Sequence, residues 1–546
     1  MVVMRGDSRG MMGTGWRERL LGFDGLSLLC VVCLSLAFVL ATYGIHFVLG
    51  DSGFWLLETE DVTQYVSGFN MYLSAPWSYP LLAFDSLNYP EGTRATFVDA
   101  VPAYAFLLKL FLPKAIGYFN PFGYWVTLCF ILQGVAAWWI ARELQVRSWV
   151  FLISLCVLLI TFPALLYRLG HISLMSHWLL LFAVACYLRS CRCKVLSHCW
   201  IWLVPLAFYI NIYIFVMISG VYLAAIARVD AHKRLRSLLL AILPFGLLFV
   251  SLFIFLFPMS SGAVGTDTGF GVYSMNLISP FMGGRFIELS SKVTSEQMEG
   301  FNYLGLGVIL ALLVSLLAAP RDWLATLRRH WPLLAILFIY AFYSLSNRIY
   351  AGESLIATVN YPGFLQGLVT QFRVSGRFFW LVGYVLAIFA LYRLYKGTRP
   401  QVFVCLAIMM VAIQILDLKP IYKQTRERAA VAYHPVIDVD SWNSALRGAN
   451  VLYFYPKFRC GGEAYSNLLP LMGYAARHEL KLNTGYISRY NPRCDDVQQE
   501  IDESDTSRSA YVFMKRDYPD EVALNAMVSR HGVTCREVQF AFVCRK

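Results

Sequence analysis

Residues 148–167 read SWVFLISLCVLLITFPALLY, twenty positions without one charged side chain. A helix needs about 20 apolar residues to cross the roughly 30 Å hydrocarbon core of a bilayer, so the stretch reads as a membrane span. Its surroundings repeat the pattern at 26–48, 122–141, 172–189, 237–257, 302–319, 331–346, 377–395 and 401–417. The run 199–228 is different: thirty helical residues would extend about 45 Å, so it is either one strongly tilted helix or two short spans meeting near Asn211.

Basic connectors decide between these two readings. With the N-terminus in the cytoplasm and 199–228 taken as two spans, Arg142/Arg147, Arg189/Arg192/Lys194, Lys233/Arg234/Arg236, Arg321/Arg328/Arg329 and Arg393/Lys396/Arg399 all fall on one side. Taken as one span, the last three groups would flip against the positive-inside rule. The expectation is an α-helical polytopic protein of eleven spans with the C-terminus outside. Met1–Gly25 forms a cytoplasmic segment with Arg5, Arg9, Arg17 and Arg19. The apolar run after it continues to about Val48, too long for a signal-peptide core, and no small-residue cleavage site follows, so the first span reads as uncleaved.

Composition agrees. Of 546 residues, 58% are hydrophobic and 15% charged, against about 25% charged in a soluble domain, which excludes a soluble enzyme and a disordered chain. The net charge of +12 lacks the basic stripe interleaved with aromatics that a nucleic-acid surface needs, so no nucleic-acid partner is expected. The scarce charges are uneven: residues 1–420 hold 29 Lys/Arg and 19 Asp/Glu, residues 421–546 hold 17 and 15. The chain therefore divides into a membrane domain, 26–420, and a soluble domain, 421–546.

In the soluble part Val451–Tyr455 and Ala510–Met514 read as strands, Glu463–Arg477, Asp495–Glu503 and Asp520–Arg530 as helices, and Cys535–Arg545 as one or two strands. This is a small α/β domain. It carries Cys460, Cys494, Cys535 and Cys544, an even number suited to two disulfides in an oxidising compartment; three connectivities are open, and a 535–544 bond would clip a hairpin. Cys191 and Cys193 fall in a cytoplasmic connector as reduced thiols without zinc-knuckle spacing. With no phosphate loop and no nucleophile elbow, the domain is expected to bind or cover rather than react.

Three long segments, 49–121, 258–301 and 347–376, share the outer side, and long loops converging on one face usually build a site. Within the first, Val101–Leu112 is too short to span and suits an interfacial or re-entrant helix. The same segment contains Glu58-Thr59-Glu60-Asp61, and on a helix Glu58 and Asp61, or Asp61 and Tyr65, would share a face. Such carboxylates are either a solvated helix start or a general base toward a hydroxyl. Arg168 and His171, with His177 beyond, are either a snorkelling arginine and a capping histidine or a cationic contact to a lipid phosphate. Arg373 and Arg377 stand on the side where the charge rule disfavours them, so they either bind phosphate through the guanidinium fork or pair with the acidic first segment. The loop Ser260–Gly271 is Gly- and Ser-rich without the Lys-Ser/Thr of a nucleotide-binding loop; it orders over substrate or is plain disorder.

In this order on this topology, Asp61, Pro76-Trp77-Ser78-Tyr79-Pro80, Asn88-Tyr89-Pro90-Glu91-Gly92, Asp99-Ala100-Val101-Pro102, Arg168-Leu169-Gly170-His171, Glu299-Gly300-Phe301-Asn302-Tyr303-Leu304-Gly305, Ser375-Gly376-Arg377 and Asn483-Thr484-Gly485-Tyr486-Ile487-Ser488-Arg489 resemble the GT-C superfamily of membrane glycosyltransferases, and more narrowly a bacterial multispanning family of that superfamily with unassigned specificity. The resemblance implies a GT-C-like fold in the bacterial inner membrane, with a periplasmic C-terminal domain. It implies a polyprenyl-phosphate-linked sugar as donor, a glycan or lipid of the envelope as acceptor, and inversion at the anomeric carbon. Asp61 takes the base role, with Glu60 standing where a Gly is commoner. Arg168, His171, Arg373 and Arg377 are candidates for the lipid phosphate, with Asp99, Glu299, Tyr486 and Arg489 as further substrate contacts. A divalent cation is possible, since some members hold one through paired acids. An oligosaccharide ligase or polymerase with a diphosphate-linked donor is an alternative, as is a lipid or solute transporter, although midplane charges and inverted repeats are not evident.

Overall fold

A computed structural model describes residues 22–113, 116–229, 234–259, 269–288, 295–318, 320–461, 464–488, 491–495 and 497–546. The segment before residue 22 and most of the Gly-rich loop, 260–268, lie outside the described residues, as does Arg489. The molecule is mostly helical. Its main helices are α1 (Phe23–Tyr43), α2 (Asp61–Ser74), α3 (Pro102–Phe111), α4 (Phe122–Glu143), α5 (Trp149–Ile160), α6 (Trp178–Cys193), α7 (Trp200–Phe208), α8 (Ile212–Ile226), α9 (Arg234–Phe255), α10 (Leu306–Ala318), α11 (Pro320–Arg329), α12 (Trp331–Ser344), α13 (Gly363–Gln371), α14 (Phe379–Gly397), α15 (Pro400–Asp417) and α16 (Lys419–Ala429).

Among the described residues, six stretches are long and apolar enough to cross a membrane: Phe23–Tyr43, Phe122–Glu143, Trp149–Leu166, Ile172–Cys193, Ser375–Gly397 and Pro400–Asp417; a seventh arises if the bent pair α10–α11 counts as one. Shorter apolar helices accompany them at α3, α8, α12 and Leu239–Phe255. The run 199–228 does break at Asn211, whose side chain caps α8 by accepting from the Tyr213 amide. The arm before the break, α7, has nine residues and covers about 14 Å, half the hydrocarbon thickness. Its end meets α3, where the Ala103 amide donates to the Tyr209 carbonyl at 2.9 Å.

In the core, α4 lies between α1 and α6, α6 packs on α8, and α10 packs on α14 and α15. Among the described residues, two of the three long segments carry strand pairs. The first pairs β1 (Ala83–Phe84) with β2 (Thr93–Arg94), and the third forms a hairpin of β3 (Arg348–Ala351) and β4 (Ser354–Thr358) before α13. Asp417, at the end of α15, holds the loop into α10: it accepts from the Tyr303 hydroxyl at 2.6 Å and from the Leu306 and Phe286 amides at 3.0 and 3.3 Å.

The C-terminal domain is a five-stranded sheet of order β6-β5-β7-β9-β8, from β5 (Val451–Tyr455), β6 (Lys481–Leu482), β7 (Ser509–Met514), β8 (Thr534–Val538) and β9 (Ala541–Arg545). The first three are parallel and the last two antiparallel. Helices α17 (Val439–Ala445), α18 (Ala464–Arg477), α19 (Val497–Glu503) and α20 (Glu521–Val528) complete it. Two disulfides close it, Cys460–Cys494 and Cys535–Cys544, the second clipping the β8–β9 hairpin. The other nine cysteines, Cys191 and Cys193 among them, are free thiols.

Candidate active site

Helix α2 begins at Asp61, with Glu60 as its extended N-cap. The first-turn position beside the positive end of the helix dipole suits a carboxylate. Glu58 lies before the helix, which corrects the expectation that Glu58 and Asp61 share a helical face. It is buried and turned the other way, accepting from the Tyr433 hydroxyl and the Val436 and Ile437 amides at 2.9, 2.7 and 3.1 Å. Glu60 also turns outward and pairs with Arg428 of α16 at 2.8 Å. Asp61 and Tyr65 are left together on the inner face of α2.

The turn between Leu166 and Ile172 carries Arg168 and His171 to this face. His171 Nδ1 stands 3.6 Å from Asp61 Oδ2 and 3.1 Å from the Tyr65 hydroxyl, which donates to the Gly170 carbonyl. Its Nε2 stands 3.2 Å from Glu299 Oε1. Glu299 Oε2 accepts from Arg168 Nη1 at 2.6 Å and from Arg377 Nη2 at 2.9 Å. An imidazole is thus strung between two carboxylates, one of them clamped by two guanidinium groups. The clamp depends on a close approach of two outer segments. A Cβ on Gly376 would come within 2.5 Å of the Gly300 Cα, and Asn302 Nδ2 ties both turns by donating to the Gly300 and Gly376 carbonyls at 2.9 and 2.8 Å.

Arg168 and Arg377 are therefore partnered by Glu299 of segment 258–301, which for Arg377 takes the place of a pair with the acidic first segment. Arg168 is 2% exposed and Arg377 12%. Their remaining faces stack on aromatic rings, Arg168 over Tyr167 at 5.3 Å and Arg377 over Tyr213 at 4.9 Å. Burial alone would raise the Glu299 pKa, but the two guanidinium groups outweigh it and hold the carboxyl well below its usual range. Asp61 is pushed the other way: burial raises it, His171 draws it down, and Glu299 and Glu60 add to the rise. Asp99, raised by burial to about 6 despite a hydrogen bond from Ser173, completes the inner wall. It sits in a backbone turn where Asp99 and Val101 both adopt left-handed φ, 53° and 49°. For a β-branched residue such as Val101 that is a strained conformation, of the kind that collects at functional sites.

Two cavities meet at this array, and Asp61 and His171 line both. One, of about 390 Å³, is bounded by Glu60, Arg168, Glu299, Gln424 and Arg428. The other, of about 560 Å³, is bounded by Asp99, Tyr213, Arg373, Arg377, Arg459 and Tyr486. At Pro102 the second adjoins an apolar groove of about 620 Å³ between α3, α7 and α9. The C-terminal domain roofs the second cavity. The loops after β5 and β6 supply Phe458, Arg459, Tyr486 and Ser488, Gln64 of α2 donates to the Tyr486 carbonyl at 2.8 Å, and the Phe458 amide donates to Thr484 Oγ1 at 3.0 Å. Because the chain leaves β5 first to β6 on one side and then to β7 on the other, the roof is the topological switch point of the sheet, where open α/β sheets bind ligands.

Asp61, Arg168, His171, Glu299, Arg377 and Asp99 thus converge, with Arg373 and Tyr486 on the cavity wall. Tyr213, Gln64, Arg428 and Arg459 join them without having stood out in the sequence; only the Asn211 break beside Tyr213 left a trace there. Among the described residues no group of three or more His, Cys, Asp or Glu side chains is arranged to hold a metal ion. Both Glu299 oxygens are taken by His171, Arg168 and Arg377.

This fold and this array define a polytopic membrane protein with a carboxylate–imidazole–carboxylate site roofed by its own disulfide-bonded α/β domain. The chain belongs to the family described as domain of unknown function DUF6311, whose model matches residues 32–419. The DUF6311 C-terminal domain matches residues 441–546. No curated protein matches the chain.

Proposed function

We propose that the protein is an integral-membrane glycosyltransferase that moves a sugar from a polyprenyl-phosphate donor to an envelope glycan or lipid, with Asp61 as general base. The observation that carries this reading is the position of Asp61 and His171 in the wall common to two cavities. A base must touch the acceptor hydroxyl on one side while the anomeric carbon lies beyond it, and a carboxyl raised by burial is a stronger base than one in water. In the step, the acceptor hydroxyl gives its proton to the Asp61 carboxylate as its oxygen bonds to the anomeric carbon. The bond from that carbon to the phosphate oxygen breaks with inversion, and the phosphate leaves with the electron pair. Arg373 and Arg377 face the cavity where that charge develops. His171, held by Glu299, orients Asp61 and can take up the proton's charge.

This reading carries a topology of eleven crossings in the bacterial inner membrane, the N-terminus cytoplasmic and the C-terminal domain periplasmic. Disulfides confined to the C-terminal domain, with free thiols elsewhere, support that orientation. The test is purified full-length protein incubated with a panel of polyprenyl-phosphate sugars, following donor consumption. At least one donor should be consumed, and Asp61→Asn should abolish turnover while keeping donor binding. Retained turnover in Asp61→Asn overturns the base assignment; no consumption of any donor, with solute uptake in vesicles, favours a transporter.

A further inference from the structure

A cavity of about 760 Å³ that the proposed reaction does not use lies at the other end of the bundle. Trp125 of α4 donates to the Ile172 carbonyl near the candidate site, and Glu143, eighteen residues further along the same helix, stands about 27 Å away at the helix's far end. The cavity opens there among the start of α1, the end of α4, the start of α5 and the end of α6. Four arginines line it, Arg142, Arg147, Arg189 and Arg192, against two carboxylates, Asp24 and Glu143.

The pairing leaves cationic capacity over. Buried Glu143 is shared by Arg192 at 2.7 Å and Arg189 at 3.8 Å, and Arg142 stands 3.5 Å from Asp24 while covering the Trp138 ring at 4.6 Å. Arg147, exposed in the turn between α4 and α5, makes no ion pair among the described residues. Glu143 and Trp138 hold the floor rigid: Trp139 Nε1 donates to Glu143 Oε1 at 3.2 Å, and Trp138 Nε1 to the Asp24 carbonyl and Ser27 Oγ, both at 3.1 Å.

We propose that this cavity binds the phosphate of an anionic membrane-lipid headgroup, independently of the transfer reaction at the other end. A surplus of two positive charges in a concave site favours a phosphodiester monoanion, and guanidinium forks take two phosphate oxygens each. The site stands where apolar helices end and interfacial tryptophans lie, the depth of a lipid headgroup, and basic pockets between membrane helices are suited to such groups. A cavity of this size also takes the glycerol that a lipid brings with its phosphate, which a bare anion would leave unfilled.

The experiment uses the delipidated full-length protein in detergent, with native mass spectrometry reading the occupancy of added phosphatidylglycerol, phosphatidylcholine or inorganic phosphate. Phosphatidylglycerol should bind with one preferred stoichiometry and resist millimolar inorganic phosphate. Arg147→Gln, which breaks no internal ion pair, should weaken it several-fold, and Arg147→Gln/Arg192→Gln about tenfold or more, with Arg147→Lys recovering part. Thermal unfolding without lipid checks that each variant is folded. Equal binding of phosphatidylcholine, or phosphatidylglycerol binding unchanged in a folded double variant, overturns the site. Displacement by inorganic phosphate assigns the cavity to a free anion and overturns the lipid.

Discussion

Glu299→Gln is the sharpest perturbation of the array. The side chain accepts from three donors at 2.6, 2.9 and 3.2 Å, two of them on permanent cations that are almost fully buried. Glutamine keeps the shape, but it leaves Arg168 and Arg377 facing each other without an anion and turns an amide N–H₂ toward a donor. Removing one partner of a buried ion pair costs about 3–5 kcal/mol. Glu299 itself is 23% exposed, so water returns part of this, and about 3 kcal/mol is the expected loss. At roughly 2–4 °C per kcal/mol for a large domain, the melting temperature should fall by roughly 6–12 °C. The assay is thermal unfolding of detergent-purified protein followed by tryptophan fluorescence. Because the Glu299 pKa is depressed in the folded state, its contribution is fully present above the ordinary value of 4.5 and declines as pH falls below it. The gap between wild type and variant should therefore narrow only in acid. Charge balance predicts coupling: Arg168→Met/Glu299→Gln should be less destabilised than the sum of the single variants by about 1 kcal/mol or more. A Glu299→Gln protein as stable as wild type, or an additive double variant, would refute the clamp.

Asp99, raised to about 6 from 3.8, binds its proton more tightly when folded, so its effect is a stability that falls as pH rises from about 4 to about 6. The loss is on the order of 3 kcal/mol, and Asp99→Asn should flatten that part of a stability–pH curve. Of the two disulfides, Cys460–Cys494 spans 34 residues and Cys535–Cys544 spans 9. In the loop-entropy picture these contribute roughly 4 and roughly 3 kcal/mol, so Cys460→Ser/Cys494→Ser should be the more damaging pair by melting temperature. It should also be the pair that weakens donor binding, because Arg459 adjoins Cys460 in the roof.

The parts of the fold legible in the sequence are those written in local pattern. Long apolar runs gave the membrane class, Asn211 marked the break between α7 and α8, and short apolar runs marked β5 and β7. The run Cys535–Arg545 was legible as strand, while the Cys535–Cys544 bond that clips it was one of three open connectivities. What was not legible depends on pairings distant in sequence. Glu299 lies 131 residues from Arg168 and 78 from Arg377, and nothing in its own neighbourhood shows that it neutralises both. For Arg377 the choice between phosphate and an acidic partner stayed open in the sequence, because the charge rule addresses sidedness and not partners. Glu58 was misplaced because the helical period was extended three residues too far toward the N-terminus, across a start that the extended N-cap Glu60 sets. Strand β6, two residues long, is too short to show any period.

The C-terminal domain reads from composition as a separable unit, but its contacts make it part of the site. Leu482 of β6 donates to the Ser86 carbonyl at 2.8 Å and accepts from the Tyr89 amide at 2.9 Å, so the first outer segment extends the edge of the sheet. Helix α18 lies against α2, with Gly473 next to Thr63, and Lys481 pairs with Asp85 at 2.5 Å. Glu58, 1% exposed at its side chain, takes all its donors from residues 433–477. Pulling the domain away would break these hydrogen bonds and the Arg477 ion pair together. A protease site inserted between His434 and Pro435, between α16 and α17, should therefore cut the chain without releasing the domain, and the two pieces should co-elute in size-exclusion chromatography. Adding Glu58→Ala should loosen that association by removing the donors' common acceptor while leaving the sheet's own strands paired. Separation of the nicked wild-type pieces would mean that these contacts do not hold the roof on the membrane domain and would refute the reasoning.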